Sequence, residues 1–171
     1  NVLEVTYDYG VTVSIENMFI LGDFGVKLIG NEETLIPLPE KVGFGDLTSQ
    51  GFPFYGGNIT YKIKANATDG KLMLRATWYR GAMISVNVDG KESGNIIYPP
   101  YMLTVDGLSD GEHEVEMTLY IHRYNTFGPL HLTNETQKWH GPGAWRSRDR
   151  EWAYEYVLRR TGILAAPAVI D

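Results

Sequence analysis

Apolar and polar side chains alternate over much of the chain, and this alternation gives the first structural signal. Ile59, Tyr61, Ile63 and Ala65 alternate with Thr60, Lys62 and Lys64. After a turn over residues 66–71, Leu72, Leu74, Ala76 and Trp78 alternate with Met73, Arg75 and Thr77. A period of two with one apolar face predicts strands that bury one side. Ile84, Val86 and Val88 continue the pattern, and Asp89-Gly90 supplies the two positive-φ positions of a tight hairpin turn. Val115, Met117, Leu119 and Ile121, set against Glu114, Glu116, Thr118 and Tyr120, form the longest strand signal. Tyr154, Tyr156 and Leu158 predict a last strand near the C-terminus. Nearer the start, strands are predicted at Val2–Tyr7 and Val11–Ile15, followed by Gly22-Asp23-Phe24-Gly25 and an aromatic loop from Gly51 to Gly57.

Glycines (19) and prolines (8) punctuate these runs at short spacing. Nowhere do apolar residues recur at helical spacing over three turns, so an all-β sandwich is the predicted class. No repeat of 20–50 residues is visible. The expected division is a strand-containing segment over residues 1–50, packing on the sandwich or belonging to a neighbouring domain, and one sandwich over residues 51–171.

Composition narrows the partners. The 171 residues carry 15 basic and 21 acidic side chains and no cysteine, which excludes a disulfide scaffold and thiol chemistry. The acid excess argues against nucleic acid as a partner. The longest apolar runs, near Met18–Leu21 and Ile163–Ile170, are far shorter than the roughly 20 residues of a membrane helix, so no membrane partner is expected. Charge is uneven: residues 1–57 hold eight acids against two bases, while residues 138–171 hold six bases against four acids. The start at Asn1, with neither an initiator Met nor a signal-like region, leads us to expect a piece of something longer.

The run Ile84-Ser-Val-Asn-Val-Asp-Gly-Lys91, then Tyr98-Pro-Pro-Tyr101, then Asp106-Gly-Leu-Ser-Asp-Gly-Glu-His-Glu-Val-Glu-Met117 resembles the galactose-binding-like jelly roll that accompanies many glycoside hydrolases. In that family a strand ends in an Asn/Asp-Gly-Lys hairpin, a proline-containing stretch crosses to the other sheet, and a D-G-x-x-x-V turn launches a long strand. The resemblance covers about residues 57–131, and it implies a closing strand at 154–160 beside the first strand of the sandwich. Gly22–Gly25, Gln50–Gly57 and Arg123–His131 look like segments of large bacterial glycosidase-like proteins in which the sandwich follows a catalytic domain. The resemblance implies a jelly-roll β-sandwich that binds sugar or braces its neighbour.

Carbohydrate recognition needs flat aromatic faces for the C–H side of a sugar and planar polar groups for its hydroxyls. Trp139, His140, Trp145, Arg146, Arg148, Asp149, Arg150 and Trp152 put three of the four tryptophans within fourteen residues, around Gly141-Pro142-Gly143. Such a loop suits docking on another domain, sugar contact or core packing. A second candidate group is Arg123, Asn125 and His131 with Tyr79 and Arg80, all near strand ends where loops carry function; the competing reading is a structural loop in which Asn125 satisfies turn backbone. Tyr98-Pro-Pro-Tyr101 reads as a sheet crossing first and an aromatic platform second.

His113, His122, His131 and His140 recur at intervals of nine, but an odd interval within a strand points side chains to opposite faces, so a metal reading fails. No cofactor is expected apart from a structural Ca²⁺, to which Asp46, Asp106 and Asp110 could contribute, although no D-x-D-x-D loop exists. Asp149 with Glu151, and Glu114 with Glu116, satisfy only the sequence proximity of a hydrolytic pair, and neither Ser49 nor Ser147 lies in a nucleophile elbow. The sequence thus reads as a monomeric, non-catalytic module of a larger glycoside hydrolase-like protein, with carbohydrate or the parent catalytic domain as partner. The alternatives are a fragment lending residues to a neighbour's active site and a protein-binding, adhesion-type sandwich.

Overall fold

The computed structural model describes residues 2–13, 18–145 and 150–170. Phe24–Ile29 (β1) and Glu32–Pro37 (β2) form a hairpin of their own. The remaining strands are Asn58–Ala67 (β3), Lys71–Arg75 (β4), Tyr79–Arg80 (β5), Met83–Val88 (β6), Lys91–Ile96 (β7), Met102–Asp106 (β8), Gly111–Tyr120 (β9), Gly162–Ile163 (β10) and Ala168–Ile170 (β11). They assemble into an antiparallel four-stranded sheet, β3-β9-β6-β7, a three-stranded sheet, β11-β4-β8, and the short pair β10-β5. The chain is an all-β sandwich.

The two larger sheets share one core. Tyr61 and Ala65 of β3, Val86 of β6, and Val115, Met117 and Leu119 of β9 pack in one cluster with Leu72 and Leu74 of β4. Leu103 and Val105 of β8 close that cluster from the other sheet. The period-two reading of these strands holds residue by residue: Ile84, Val86 and Val88 are buried, while Lys62, Lys64 and Glu114 face out. Asp89 and Gly90 both take positive φ, as the tight turn between β6 and β7 requires. The segment Tyr98–Tyr101 carries the chain from β7 in one sheet to β8 in the other. Of the first 50 residues, those from Val42 onward also reach the core. Leu47 is fully buried, Phe44 stacks on Tyr61 with centroids 5.3 Å apart, and Gly45 and Leu47 donate backbone hydrogen bonds to Ile163 and Thr161.

Three expectations are corrected. Residues 2–13 form no strand, and the end of the segment predicted at Val11–Ile15 lies outside the described residues. The backbone there finds no ladder, and its apolar side chains stand exposed. Trp78 does not continue the inward row of Leu72, Leu74 and Ala76: β4 ends at Arg75, and the chain resumes at β5 with Tyr79 inward and Trp78 65% exposed. The predicted closing strand at residues 154–160 is not one either. Val157 donates to Leu130 and Ala153 to His131, while the side chain of Asn125 takes the backbone of Arg159. The chain pairs with a sheet only afterwards, at β10 and β11.

Candidate functional site

Between β9 and β10 the chain makes a long excursion that contains most of the candidate residues. It begins with a single helical turn, Tyr124–Phe127 (α1). Asn125 in that turn is buried and acts as a clamp: its Nδ2 donates to the Arg159 carbonyl at 2.7 Å, and Arg159 N–H donates to its Oδ1 at 2.9 Å. Both ends of the amide are therefore used on backbone, the work that the structural-loop alternative gave to Asn125. The clamp also sets Arg159, whose guanidinium lies 3.7 Å over the Tyr124 ring. Tyr124 in turn packs against His140, 5.5 Å away.

The two legs of the excursion are tied to each other. Thr133 N–H donates to Glu151, Ala153 to His131 and Val157 to Leu130, and Leu132 bridges Trp152. Asn134 Nδ2 adds a bond to Glu151 Oε1 at 3.1 Å. On this ribbon His131 lies between Trp152 and Tyr156, with ring centroids 5.8 and 4.8 Å away and tilts near 35°. Tyr154 meets Trp152 edge-on, and Phe54 from the aromatic loop meets Tyr156. The Tyr156 hydroxyl donates to Glu33 of β2, which anchors the hairpin to this ribbon. Burial, reinforced by that bond, pushes the Tyr156 phenol up to about 12. His131 Nδ1 faces the carbonyls of Ala153 and Glu155 at 3.1 and 3.3 Å. In the neutral ring Nδ1 therefore carries the proton, and Nε2 is left as an acceptor.

Of the residues expected from sequence, the structure brings His131 and Trp152 into one cluster. Trp139 stands 75% exposed, folded over Gly141, where an added Cβ would collide with the indole. Trp145 is 49% exposed at the end of the turn Pro142–Trp145. Among the described residues no ring contact joins either tryptophan to His131 or Trp152. Arg123 is exposed, its stem passing beside Gly56. Arg146, Arg148 and Asp149 lie outside the described residues. Tyr79 belongs to the core: its hydroxyl meets the carbonyls of Ile96 and Ile97, and its ring packs on Tyr101. Arg80 sits on β5 beside Gly162 and donates to the Tyr79 carbonyl. Tyr154, Tyr156, Phe54 and Glu33 were missed as site residues because alternation had assigned the first two to a strand, although Phe54 sits in the aromatic loop already visible in sequence.

The other titratable groups have separate structural work. His113 Nδ1 and Nε2 face Asp89 Oδ2 at 2.6 Å and the Ser109 carbonyl at 2.7 Å. Both partners accept, so the doubly protonated ring fits best; the Asp89 bond first, then the carbonyl, raises the His113 pKa, and the same contact lowers that of Asp89. Burial, with Arg159 nearby, lowers the pKa of His122. Asp46 Oδ1 accepts from Thr48 and Thr161 N–H, Asp110 Oδ1 accepts from Gly70, and Asp106 meets Lys71 at 3.7 Å. Among the described residues no three His, Asp or Glu side chains gather in a way that could hold a metal ion. Glu116 is paired with Lys62 on the outer face of the sheet.

No family model matches the chain, and no curated protein matches it significantly. Among solved structures it is similar to a rhamnosidase from Novosphingobium sp. PP1Y, with 16% identity, a TM-score of 0.48, and coverage of 92% of this chain and 15% of that one. It is also similar to a GH2 β-galacturonidase from Eisenbergiella tayi bound to glycerol, with 26% identity and a TM-score of 0.38. The galacturonate-bound form of that enzyme gives 25% identity and the same TM-score. Coverage is 69% of this chain and 21% of the galacturonidase. The chain thus spans about a fifth or less of the length of these proteins.

Proposed function

We propose that this chain is a non-catalytic accessory module of the galactose-binding-like jelly-roll type, part of a larger glycoside hydrolase-like polypeptide, and that its aromatic ribbon holds carbohydrate weakly. The observation that carries this reading is the cluster of His131 with Trp152 and Tyr156, their rings tilted near 35° and edged by the exposed ring of Tyr154. It offers flat apolar faces next to polar edges: the free Nε2 of His131 and the carboxylate of Glu33 that receives Tyr156. That is the chemistry a pyranose needs, an apolar C–H face met by a ring and hydroxyls met by planar acceptors.

A second reading, bracing of a catalytic domain, is favoured by Trp139 and Trp145, which are exposed and lie outside the cluster. Exposed indoles of this kind suit a flat protein contact.

The test is a titration of the chain with oligosaccharides containing rhamnose or galacturonate, the sugars named for the similar structures, followed by NMR at the Trp and His side chains. Binding near millimolar Kd, about −4 kcal/mol, with shifts at Trp152 and His131 is expected. Trp152→Ala should then weaken binding by about 1 kcal/mol, roughly fivefold. No shift at tens of millimolar sugar would overturn the carbohydrate reading. Trp145→Ala separates the second reading: it should weaken docking to the catalytic domain in the longer polypeptide and leave the melting temperature nearly unchanged. A loss of roughly 3–5 kcal/mol of stability, that of a buried Trp→Ala, would overturn it.

A further inference from the structure

We propose that residues 3–13 are a β-strand whose ladder partner is the open edge of β3 on a second copy of this chain, so that two copies exchange arms symmetrically. Leu3, Val5, Tyr7, Tyr9, Val11 and Val13 alternate with Glu4, Thr6, Asp8, Gly10 and Thr12. This is the period and the β-branched and aromatic composition of a half-buried strand. In the single chain, however, these six apolar side chains are 36 to 108% exposed and residues 3–13 belong to no strand; their only backbone bond among the described residues is a turn, Val13 N–H to the Gly10 carbonyl, which pairing would open. An amphipathic strand that has neither a ladder nor a buried face lacks its partner, not its propensity.

The molecule also offers a matching edge. Among the described residues β3 pairs only with β9, and its other side is unpaired over ten residues. A groove of about 380 Å³ opens on that side. Neighbouring residues Ile59 and Thr60, which point to opposite faces of the sheet, both line it, and no β9 residue does, so the groove opens at the start of the open edge. Its apolar walls come from Phe24, Leu38, Val42, Phe52 and Tyr55. Parity then sets the charges. Any register that turns the apolar row of the arm toward the core brings Glu4, Thr6 and Asp8 to the face that carries Thr60, Lys62 and Lys64, where opposite charges are cross-strand neighbours. Lys62 and Lys64 meet Glu116 and Glu112 from β9 and remain largely exposed beside the open edge.

In the single chain, among the described residues, the arm seats on no edge of its own sandwich, and the equivalent edge of another copy would supply one. A two-fold exchange covers both open edges at once, which removes the aggregation hazard of a long bare strand. The monomer expected from sequence gives way to a dimer in this reading.

The chain contains no cysteine, which makes the test clean. Sedimentation of the full chain should show a concentration-dependent dimer, and Val5→Glu with Tyr7→Glu should raise its dissociation constant at least tenfold without lowering the melting temperature of the dilute, monomeric chain. One copy carrying Thr6→Cys is then mixed with a copy carrying a single Cys at Thr60, Lys62 or Lys64. Oxidation should give a disulfide-linked heterodimer for at least one of the three. A monomer at all accessible concentrations would overturn the proposal. So would a dimer untouched by the Val5 and Tyr7 substitutions. Placing both cysteines on one chain and finding an intrachain bond whose yield ignores concentration would overturn the exchange, because the arm would then seat on its own edge.

Discussion

The strand β3 and the arm over residues 3–13 carry the same pattern of alternating apolar and polar side chains, yet β3 is fully laddered on one side while the arm joins no ladder and ends in a turn, Val13 N–H donating to the Gly10 carbonyl. Ile59, Tyr61, Ile63 and Ala65 of β3 lie against β9 and under Phe44 and Leu72, whereas Leu3, Val5, Tyr7 and Tyr9 meet no comparable wall. Alternation states which face a strand would bury but does not supply the surface that buries it. That surface comes from whichever segment is close enough to ladder first, and for β3 it is β9, matched from Asn58 with Tyr120 to Ala67 with Gly111.

The sharpest way to break this comparison is to damage the covered side. Leu119 on β9 is completely buried between the sheets, so Leu119→Ala should cost about 2–5 kcal/mol in urea unfolding. A cost under 1 kcal/mol would mean that the two sheets do not close on each other as described.

Next comes the clamp that replaces the predicted closing strand. Asn125→Ala strands the backbone of Arg159, so a loss of roughly 1–3 kcal/mol is expected. Hydrogen exchange should show early opening of residues 151–161 while β3 and β9 stay protected. Equal loosening of both regions would assign Asn125 to the sandwich itself.

A smaller effect should come from pH. The pKa of His113 is raised from 6.5 by Asp89 and Ser109, so its contribution is complete below pH 6.5 and is lost as pH rises through the folded value above it. Asp89, lowered from 3.8, contributes above pH 3.8 and loses its contribution as pH falls below that. Stability measured against pH should therefore be highest between these values, and His113→Gln should flatten the alkaline limb. An unchanged limb would mean that the contact is absent in solution.

The least effect belongs to the uncovered arm. Val5→Ser should change the unfolding free energy of the dilute chain by no more than about 0.5 kcal/mol. A cost comparable to that of Leu119→Ala would show that the arm is covered after all.

The strands β3, β4, β6 and β9 were legible because each needs only local pattern and turn chemistry, although the β4 row was carried too far, to Trp78. Val86 and Val88 had to face inward once Ile84 did, and Asp89-Gly90 had to turn. The aromatic ribbon was only half legible. The density of Trp and Arg between Trp139 and Trp152 pointed to the right excursion, but the partners of His131 turned out to be Trp152 and Tyr156, with Phe54 arriving from some hundred residues earlier in the chain. Tyr154, Tyr156 and Leu158 alternate as well as any strand in the sheet, and nothing local distinguishes them.

What the sequence determined by itself was therefore the all-β class, the hairpin turn at Asp89-Gly90, and the inward rows of β3, β6 and β9, since these follow from side-chain period and from the backbone freedom of a few turn residues. Only the tertiary structure decided which alternating segments receive a ladder. Hydrogen bonds of the 154–160 backbone were claimed by Leu130 and Asn125, the inward place of Trp78 went to Tyr79, and the arm was left bare. The physical reason is that a strand is completed by its neighbour: backbone N–H and C=O groups must be satisfied across a chain pair whose closeness no local pattern encodes.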